Sequence, residues 1–325
     1  MKKFHLTFWV LLALSLAAYP VWPDCALAKY PERAVTVLTP HPAGGDTDTV
    51  ARAIVEAARK AFPKGIAVLN RVGGGGTIGI VELVRAKADG YTLASTPIAP
   101  LVVAPHRLEI PYKTANDYQP VIKMVASTFN LAVRKDKPWK NIQEFLAFCQ
   151  ANPGKVRVGV AAEGTIPHLA MAQFVRLAKI DVTIVPFTGG VESVTALIGG
   201  HLDANCQALS EIIPHVQAGG VRILLSFDET RTPTLPDVPT AKETGLDMTA
   251  ILYHSIIAPK GLPPEIVSFL HNTFKTAMDD PVFRKVMEQK CYQIVYEGPD
   301  DLKKRLMEDY QGYGKMIQEL GLGKK

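Results

Sequence analysis

Val35-Thr36-Val37-Leu38-Thr39-Pro40, followed by His41-Pro42-Ala43-Gly44-Gly45-Asp46-Thr47-Asp48-Thr49, is the stretch that decides the fold of this chain. A β-branched apolar run suits a buried strand, and the proline and glycine residues after it break the chain into a turn. Beyond Asp46, Val50, Ala53, Ile54, Ala57, Ala58, Ala61 and Phe62 recur at helical spacing, with Arg52, Glu56, Arg59 and Lys60 opposite. The pattern predicts a helix over about 47–63, capped by Asp46 or Thr47 and ended by Pro63 and Gly65. A second strand-to-helix turn follows: Ala67-Val68-Leu69-Asn70-Arg71-Val72, then Gly73-Gly74-Gly75-Gly76-Thr77. A helix N-terminus carries unsatisfied N–H donors and partial positive charge, so two such turns in one small unit point to a site for a small anion. The candidate contacts are Ala43, Gly44, Gly45, Thr47 and Thr49 in the first turn, and Gly75, Gly76 and Thr77 in the second.

Working outward, the first unit reads strand 34–40, helix, strand 67–72, helix about 77–87, strand 91–96. A second unit begins after Pro153-Gly154. It reads strand 155–161, helix about 166–179, strand 182–187, helix about 190–199, strand 202–208, helix about 211–218, strand 221–227. Strands alternating with helices of this length predict parallel sheet covered on both faces. Between the units, Gln119 to Val133 is too long for one ordinary strand, which suits a strand that leaves one sheet and enters another. Thr249 to Pro259 reads as the return crossing. Helices near 263–278, 281–290 and 299–320 finish the chain on the first unit. Two crossings between two α/β lobes describe a hinge around a cleft. The boundaries are 29–127 plus 251–325 for lobe 1 and 128–250 for lobe 2.

The leading residues stand apart. Lys2 and Lys3 precede the apolar run Phe8 to Ala18, and Ala26-Leu27-Ala28 offers a small-x-small cleavage site. Residues 1–28 read as a secretory signal peptide, cleaved near Ala28. Cys25 invites a lipoprotein reading, but Trp22-Pro23-Asp24 before it are large, rigid and charged where that processing needs small residues. Losing Lys2, Lys3 and Asp24 takes the formal charge of +5 to +4. That charge is dispersed, with no basic run interleaved by aromatics, which excludes a nucleic-acid partner. Cys149, Cys206 and Cys291 remain after cleavage. Their wide spacing is neither a disulfide framework nor a metal signature, and buried thiols are expected. His168, His201, His215 and His254 form no metal pattern, and no G-x-S-x-G elbow marks a serine hydrolase.

The two turns, with Asp89-Gly90-Tyr91-Thr92-Leu93, Gly164-Thr165-Ile166-Pro167-His168-Leu169, Val185-Pro186-Phe187-Thr188-Gly189-Gly190, Leu197-Ile198-Gly199-Gly200-His201-Leu202-Asp203 and Arg231 to Thr240, resemble the periplasmic solute receptors of tripartite tricarboxylate transporters, the Bug or TctC-like family. The likeness runs in order through the mature chain. It implies a two-lobed, type II-like periplasmic-binding-protein fold, each lobe a mostly parallel sheet flanked by helices, with the ligand cleft between lobes. It implies a monomeric periplasmic receptor that closes on a mono-, di- or tricarboxylate and passes it to membrane permease subunits. No catalysis, cofactor or metal is expected. A receptor feeding a signalling protein and an exported enzyme on the same scaffold are the alternatives. The sequence departs from the family pattern at His41, at Asp46, at Gln207-Ala208-Leu209-Ser210 and at Ile251-Leu252-Tyr253-His254-Ser255. Asp46, Gln207, Tyr253 and His254 are therefore the positions at which the ligand's identity stays open.

Further candidate contacts lie at strand ends and helix starts: Ser95, Thr96, Thr165, Thr188, Gly189, Gly190 and Gln207. Thr77, Thr165 and Thr188 also suit helix capping. Gly74-Gly75-Gly76-Thr77-Ile78-Gly79 formally satisfies G-x-G-x-x-G, but the next strand ends Ala94-Ser95-Thr96-Pro97 without the acid that a dinucleotide needs. Asp46 and Asp48 would repel a carboxylate, so they are expected to cap backbone donors or face away. An inward Asp46 would call for a ligand hydroxyl or amine. Arg71 alone among the turn residues is basic, and it is expected to form an ion pair that locks its turn.

Overall fold

The computed structural model describes residues 30–324; the signal-peptide reading of residues 1–28 lies outside them. In chain order the elements are β1 (Val35–Thr39), α1 (Asp46–Ala58), β2 (Ile66–Asn70), α2 (Thr77–Arg85), β3 (Thr92–Pro97), α3 (Ala99–Val102), α4 (Ala104–Arg107) and β4 (Tyr118–Arg134). They continue with α5 (Ile142–Ala151), β5 (Arg157–Val160), α6 (Ile166–Ala178), β6 (Thr183–Pro186), α7 (Gly190–Ile198), β7 (Ala204–Ala208), α8 (Leu209–Gln217) and β8 (Val221–Ser226). Last come β9 (Ile251–Pro259), α9 (Pro264–Met278), α10 (Pro281–Gln289), β10 (Gln293–Glu297) and α11 (Pro299–Glu319).

The strands form a curled mixed sheet in the order β2-β1-β3-β9-β4-β7-β5-β6, with β10 and β8 also paired to β4. β1 runs parallel to β2 and β3, and β5 runs parallel to β6 and β7. Between these two parallel cores pass β9 and β4, each antiparallel to its neighbours. β4 changes partners along its length: its pairing with β9 ends at Thr128↔Ile251, and its pairing with β7 begins at Phe129↔Ala208. Two register shifts against β9 and one against β8 bend it, as bulges do. Its near-continuous burial follows from helices on both faces.

The long strand and the return crossing stand where the sequence pattern places them. The sequence pattern does not show the adjacency of β7 and β8: β4 is threaded between them, antiparallel to both. β7 and β8 still point the same way, as a strand–helix–strand crossover requires. β10 and α5 were not read from the sequence. β10 is short and edge-like, and it pairs only with β4, through Gln293↔Ala126 and its neighbours.

A continuous apolar cluster crosses β4, from Leu38, Leu83 and Leu101 through Leu131 and Val133 to Phe145, Phe174 and Phe227. α11 is fastened to β4 and β10 by a half-hidden charge group. Glu297 accepts from Lys123 Nζ at 2.9 Å and from Arg305 Nε at 2.5 Å. Beside it the Tyr253 hydroxyl donates to Asp309 at 2.6 Å.

Gly159 in β5 shows how tightly α7 sits on the sheet. A Cβ there would lie 2.3 Å from Leu202 Cδ1 and 2.6 Å from Ser193 Oγ. Gly159→Ala is therefore expected to destabilise the fold by about 1–3 kcal/mol, the usual cost of overpacking. Chemical denaturation measures this, and an unchanged midpoint would contradict the packing described.

Candidate functional site

A cavity of about 360 Å³ opens at the carboxyl ends of the parallel strands. Ligands in open α/β sheets bind at such strand ends. The turn after β1 contributes His41 to Ala43 and Gly45 to Thr47, and the turn after β5 contributes Ala161, Ala162 and Thr165. The turn after β6 contributes Thr188 to Gly190, and β7 with the start of α8 contributes Gln207, Ala208 and Glu211. Phe129 of β4 and Leu252 of β9 complete an apolar wall where the crossing strands change partners.

Of the candidate contacts, Ala43, Gly45, Thr47, Thr165, Thr188, Gly189, Gly190 and Gln207 line this cavity. Gly44 and Thr49 line a smaller adjoining pocket of about 170 Å³, which shares Gly45, Asp46, Val191 and Glu211 with the larger one. Gly75, Gly76, Thr77, Ser95 and Thr96 do not reach the wall. Gly76 lies behind the first turn, where a Cβ would come within 2.6 Å of Pro100 and 3.1 Å of His41. Its φ of +97° suits glycine. Ser95 and Thr96 are buried in β3 against β9. The second glycine turn thus supports the first. Arg71 makes its ion pair with Glu82 at 2.8 Å, joining the end of β2 to α2 away from the cavity.

The helix starts differ from the simple capping expected. Gly45, not Asp46 or Thr47, is the N-cap of α1, because the Asp46 carboxylate is engaged elsewhere. It accepts from Ser210 Oγ at 2.5 Å and lies 3.4 Å from His254 Nε2, which is 3.3 Å from the Tyr292 hydroxyl. Asp48 does cap a donor: it accepts from the Gly44 amide at 2.9 Å, and Arg52 and Asn70 hold it in place. Thr77 does not cap α2; Gly76 does, and the Thr77 hydroxyl donates to the Gly74 carbonyl at 2.9 Å. Thr165 is the N-cap of α6 by backbone only, since its hydroxyl donates to the Ala162 carbonyl at 2.7 Å. Gly189 caps α7, while the Thr188 amide and hydroxyl both donate to Glu192.

Glu211 was not singled out in the sequence, although it stands in the first turn of α8. Its carboxyl lies close to Asp46. It also packs on Gly190, where a Cβ would lie 1.9 Å from its Oε2, so a side chain there would have to displace the Glu211 carboxyl. Burial and the neighbouring Asp46 charge push Glu211 up to about 8. Burial also opposes the charge on Asp46, but the hydrogen bond and charge of His254, with hydrogen bonds from Ser210 and Tyr292, hold it below the usual carboxylate range. Burial and His254 lower His41 to about 4. The environment thus separates Asp46, held low, from Glu211, raised to about 8, while the Thr188 hydroxyl and amide hold Glu192 on the same cavity low. Ser210, His254 and Tyr292 lie far from Asp46 in sequence, and no local signal linked them. Among the described residues no histidine, cysteine and carboxylate cluster is arranged to hold a metal. The described cysteines are free.

The raised pKa of Glu211 has a definite sign. An acid whose folded pKa lies above its unfolded value binds more protons when folded, so its linked stability falls as pH climbs from about 4.5 to about 8. Glu211→Gln mimics the protonated form and removes that slope. Its melting temperature minus that of the wild type is expected to rise steadily across this range, and a pH-independent difference would refute the assignment.

The description of a tripartite tricarboxylate transporter family receptor matches residues 50–322. The UPF0065 protein of the gbd 5′ region of Cupriavidus necator is 31% identical over 312 residues, covering 96% of this chain and 94% of that protein. Among solved structures, the periplasmic binding protein BugD is 28% identical with a TM-score of 0.85, covering 91% of this chain and all (100%) of its own. MatC from Rhodopseudomonas palustris, solved with bound malate, is 28% identical with a TM-score of 0.82, covering 89% of this chain and 100% of its own. Family and fold are those of solute-binding receptors, and this chain belongs to the tripartite tricarboxylate transporter receptor family.

Proposed function

We propose that the mature chain is a periplasmic receptor that captures a small organic carboxylate in this cavity and delivers it to the permease of a tripartite transporter. The observation that carries the reading is the convergence of helix starts from both parallel cores on one cavity. Residues 29–127 with 251–325 form one lobe on this reading, and 128–250 form the other. The change of partners on β4 at Thr128 and Phe129 supports that division. Ligand bound between the lobes favours the closed arrangement, and the permease reads closure. Export through a leader cleaved near Ala28 accords with the sequence of residues 1–28. No helix among the described residues is long and apolar enough to cross a membrane. The malate in MatC supports a carboxylate as ligand here.

Gln207 is the side chain best placed to bind it. It is 1% exposed, lines the cavity, and its Nε2 has no hydrogen-bond partner among the described residues. A buried unpaired donor is costly and gains from a ligand oxygen.

A thermal-shift screen of residues 29–325 against mono-, di- and tricarboxylates, aromatic acids and amino acids tests the reading. A ligand at 100 times its dissociation constant stabilises by about 2.7 kcal/mol, a readily visible rise in melting temperature. No shift from any of them, with protein shown to be ligand-free, would contradict the receptor reading. Gln207→Ala is expected to weaken the best ligand by about 5–150-fold, the loss of about 1–3 kcal/mol, while leaving the unliganded melting temperature nearly unchanged. Undiminished affinity would remove Gln207 from the site.

A further inference from the structure

Arg107 ends α4 in the segment assigned to lobe 1, and its guanidinium is divided among three neighbours. Its Nε donates to the Leu322 carbonyl at 3.2 Å, its Nη2 pairs with Glu163 Oε1 at 2.6 Å, and its Nη1 lies against Gly164. Leu322 belongs to the C-terminal segment of lobe 1, whereas Glu163 and Gly164 belong to the turn of lobe 2 that precedes α6. A Cβ on Gly164 would lie 1.8 Å from Nη1, and the φ of +77° there also favours glycine. The turn is thus shaped around the guanidinium. The second glycine turn stands beside it, since a Cβ on Gly75 would lie 3.8 Å from the Glu163 carbonyl oxygen.

Both ends of this contact are fastened. On the lobe 1 side the Lys324 amide donates to the His106 carbonyl at 3.3 Å, and Lys324 Nζ pairs with Glu109 at 2.5 Å. The Arg107 side chain is only 17% exposed. On the lobe 2 side the Gly164 amide donates to His168 Nδ1 at 3.4 Å, and the Thr165 hydroxyl donates to the Ala162 carbonyl at 2.7 Å. Ala161, Ala162, Thr165 and Ile166 of this turn form cavity wall, with Arg107 behind it. A pull on Glu163 and Gly164 is therefore carried to the wall. Exposed ion pairs between long side chains contribute little, because both partners give up freedom to meet. The Arg176–Glu319 pair, nearly half exposed at both ends, is of that kind. Arg107 differs because Leu322 and Gly164 already hold its planar fork before Glu163 is met.

Resting on the two-lobed receptor reading, we infer that Arg107 is a positioning residue: a clasp from lobe 1 that grips the turn before α6 and holds the cavity closed without touching the ligand. Breaking the clasp removes interactions present in the closed arrangement and shifts the population toward the open one.

Small-angle X-ray scattering of unliganded residues 29–325 tests this on Arg107→Ala and Glu163→Ala, each checked for folding by its melting curve. The control is Arg71→Ala, which breaks an ion pair lying within lobe 1. A compact chain of this length has a radius of gyration of roughly 19 Å. Both clasp variants are expected to exceed the wild type by a few per cent, and Arg71→Ala to match it. Glu163 is 65% exposed, so its truncation leaves the fold intact and decides the matter even if Arg107→Ala does not fold. A Glu163→Ala radius equal to that of the wild type overturns the clasp, as does equal expansion in Arg71→Ala. Either result leaves the receptor reading standing, because carboxylate binding in the thermal-shift screen does not depend on it. Expansion of the clasp variants with a silent screen removes the receptor reading, and with it the role of the clasp in capture.

Discussion

The structure depends on one constraint: β4 must satisfy its backbone in two sheet environments along a single run of 17 residues. An extended strand has no internal hydrogen bonds, so each stretch of β4 needs neighbours on both edges. β9 and β10 supply them over its first part, and β7 and β8 over its second. This fixes where the two parallel cores stand relative to a shared central strand. It brings the turns after β1, β5, β6 and β7 to one cavity, with Phe129 at the point of exchange. Bulges in β4 supply the bend.

Within that frame the polar chemistry of the site is governed by competition for helix-terminal donors. A bare helix start favours any anion, whether from a ligand or from the protein. In this chain Asp48 takes the Gly44 amide and Glu192 takes the Thr188 amide. The resulting cavity has little free positive charge and a pronounced asymmetry between the α6 start and the α1–α8 wall. Burial and the nearby Asp46 charge raise Glu211 to about 8, since two neighbouring desolvated carboxylates do not both ionise at low cost. Gly190 is part of the same arrangement, since a larger residue would displace the Glu211 carboxyl.

The fold was legible because its signals are local. Glycine turns after β-branched runs, helical spacing in α1 and the excess length of Gln119 to Val133 each report a single element or crossing. Strand adjacency was less legible: nothing in β7, α8 or β8 announces that β4 passes between β7 and β8. The site was legible where it consists of turn backbone, as at Gly45, Thr165 and Gly189-Gly190. It was not legible where it consists of long-range pairs. Asp46 with Ser210 spans 164 residues, and Asp46 with His254 spans 208. The second glycine turn stands outside the cavity wall, and its sequence does not reveal that. Its four glycines adopt positive φ, a backbone requirement equally consistent with holding a ligand and with supporting the neighbouring turn.

On the proposed reading the ligand sits in the cavity where these helix starts meet. A crystal structure of residues 29–325 grown with the carboxylate giving the largest thermal shift tests it most directly. Ligand density is expected within that cavity, with an oxygen within hydrogen-bond distance of Gln207 Nε2. Ligand density in the adjoining pocket or on the outer surface, with this cavity holding only water, would contradict it.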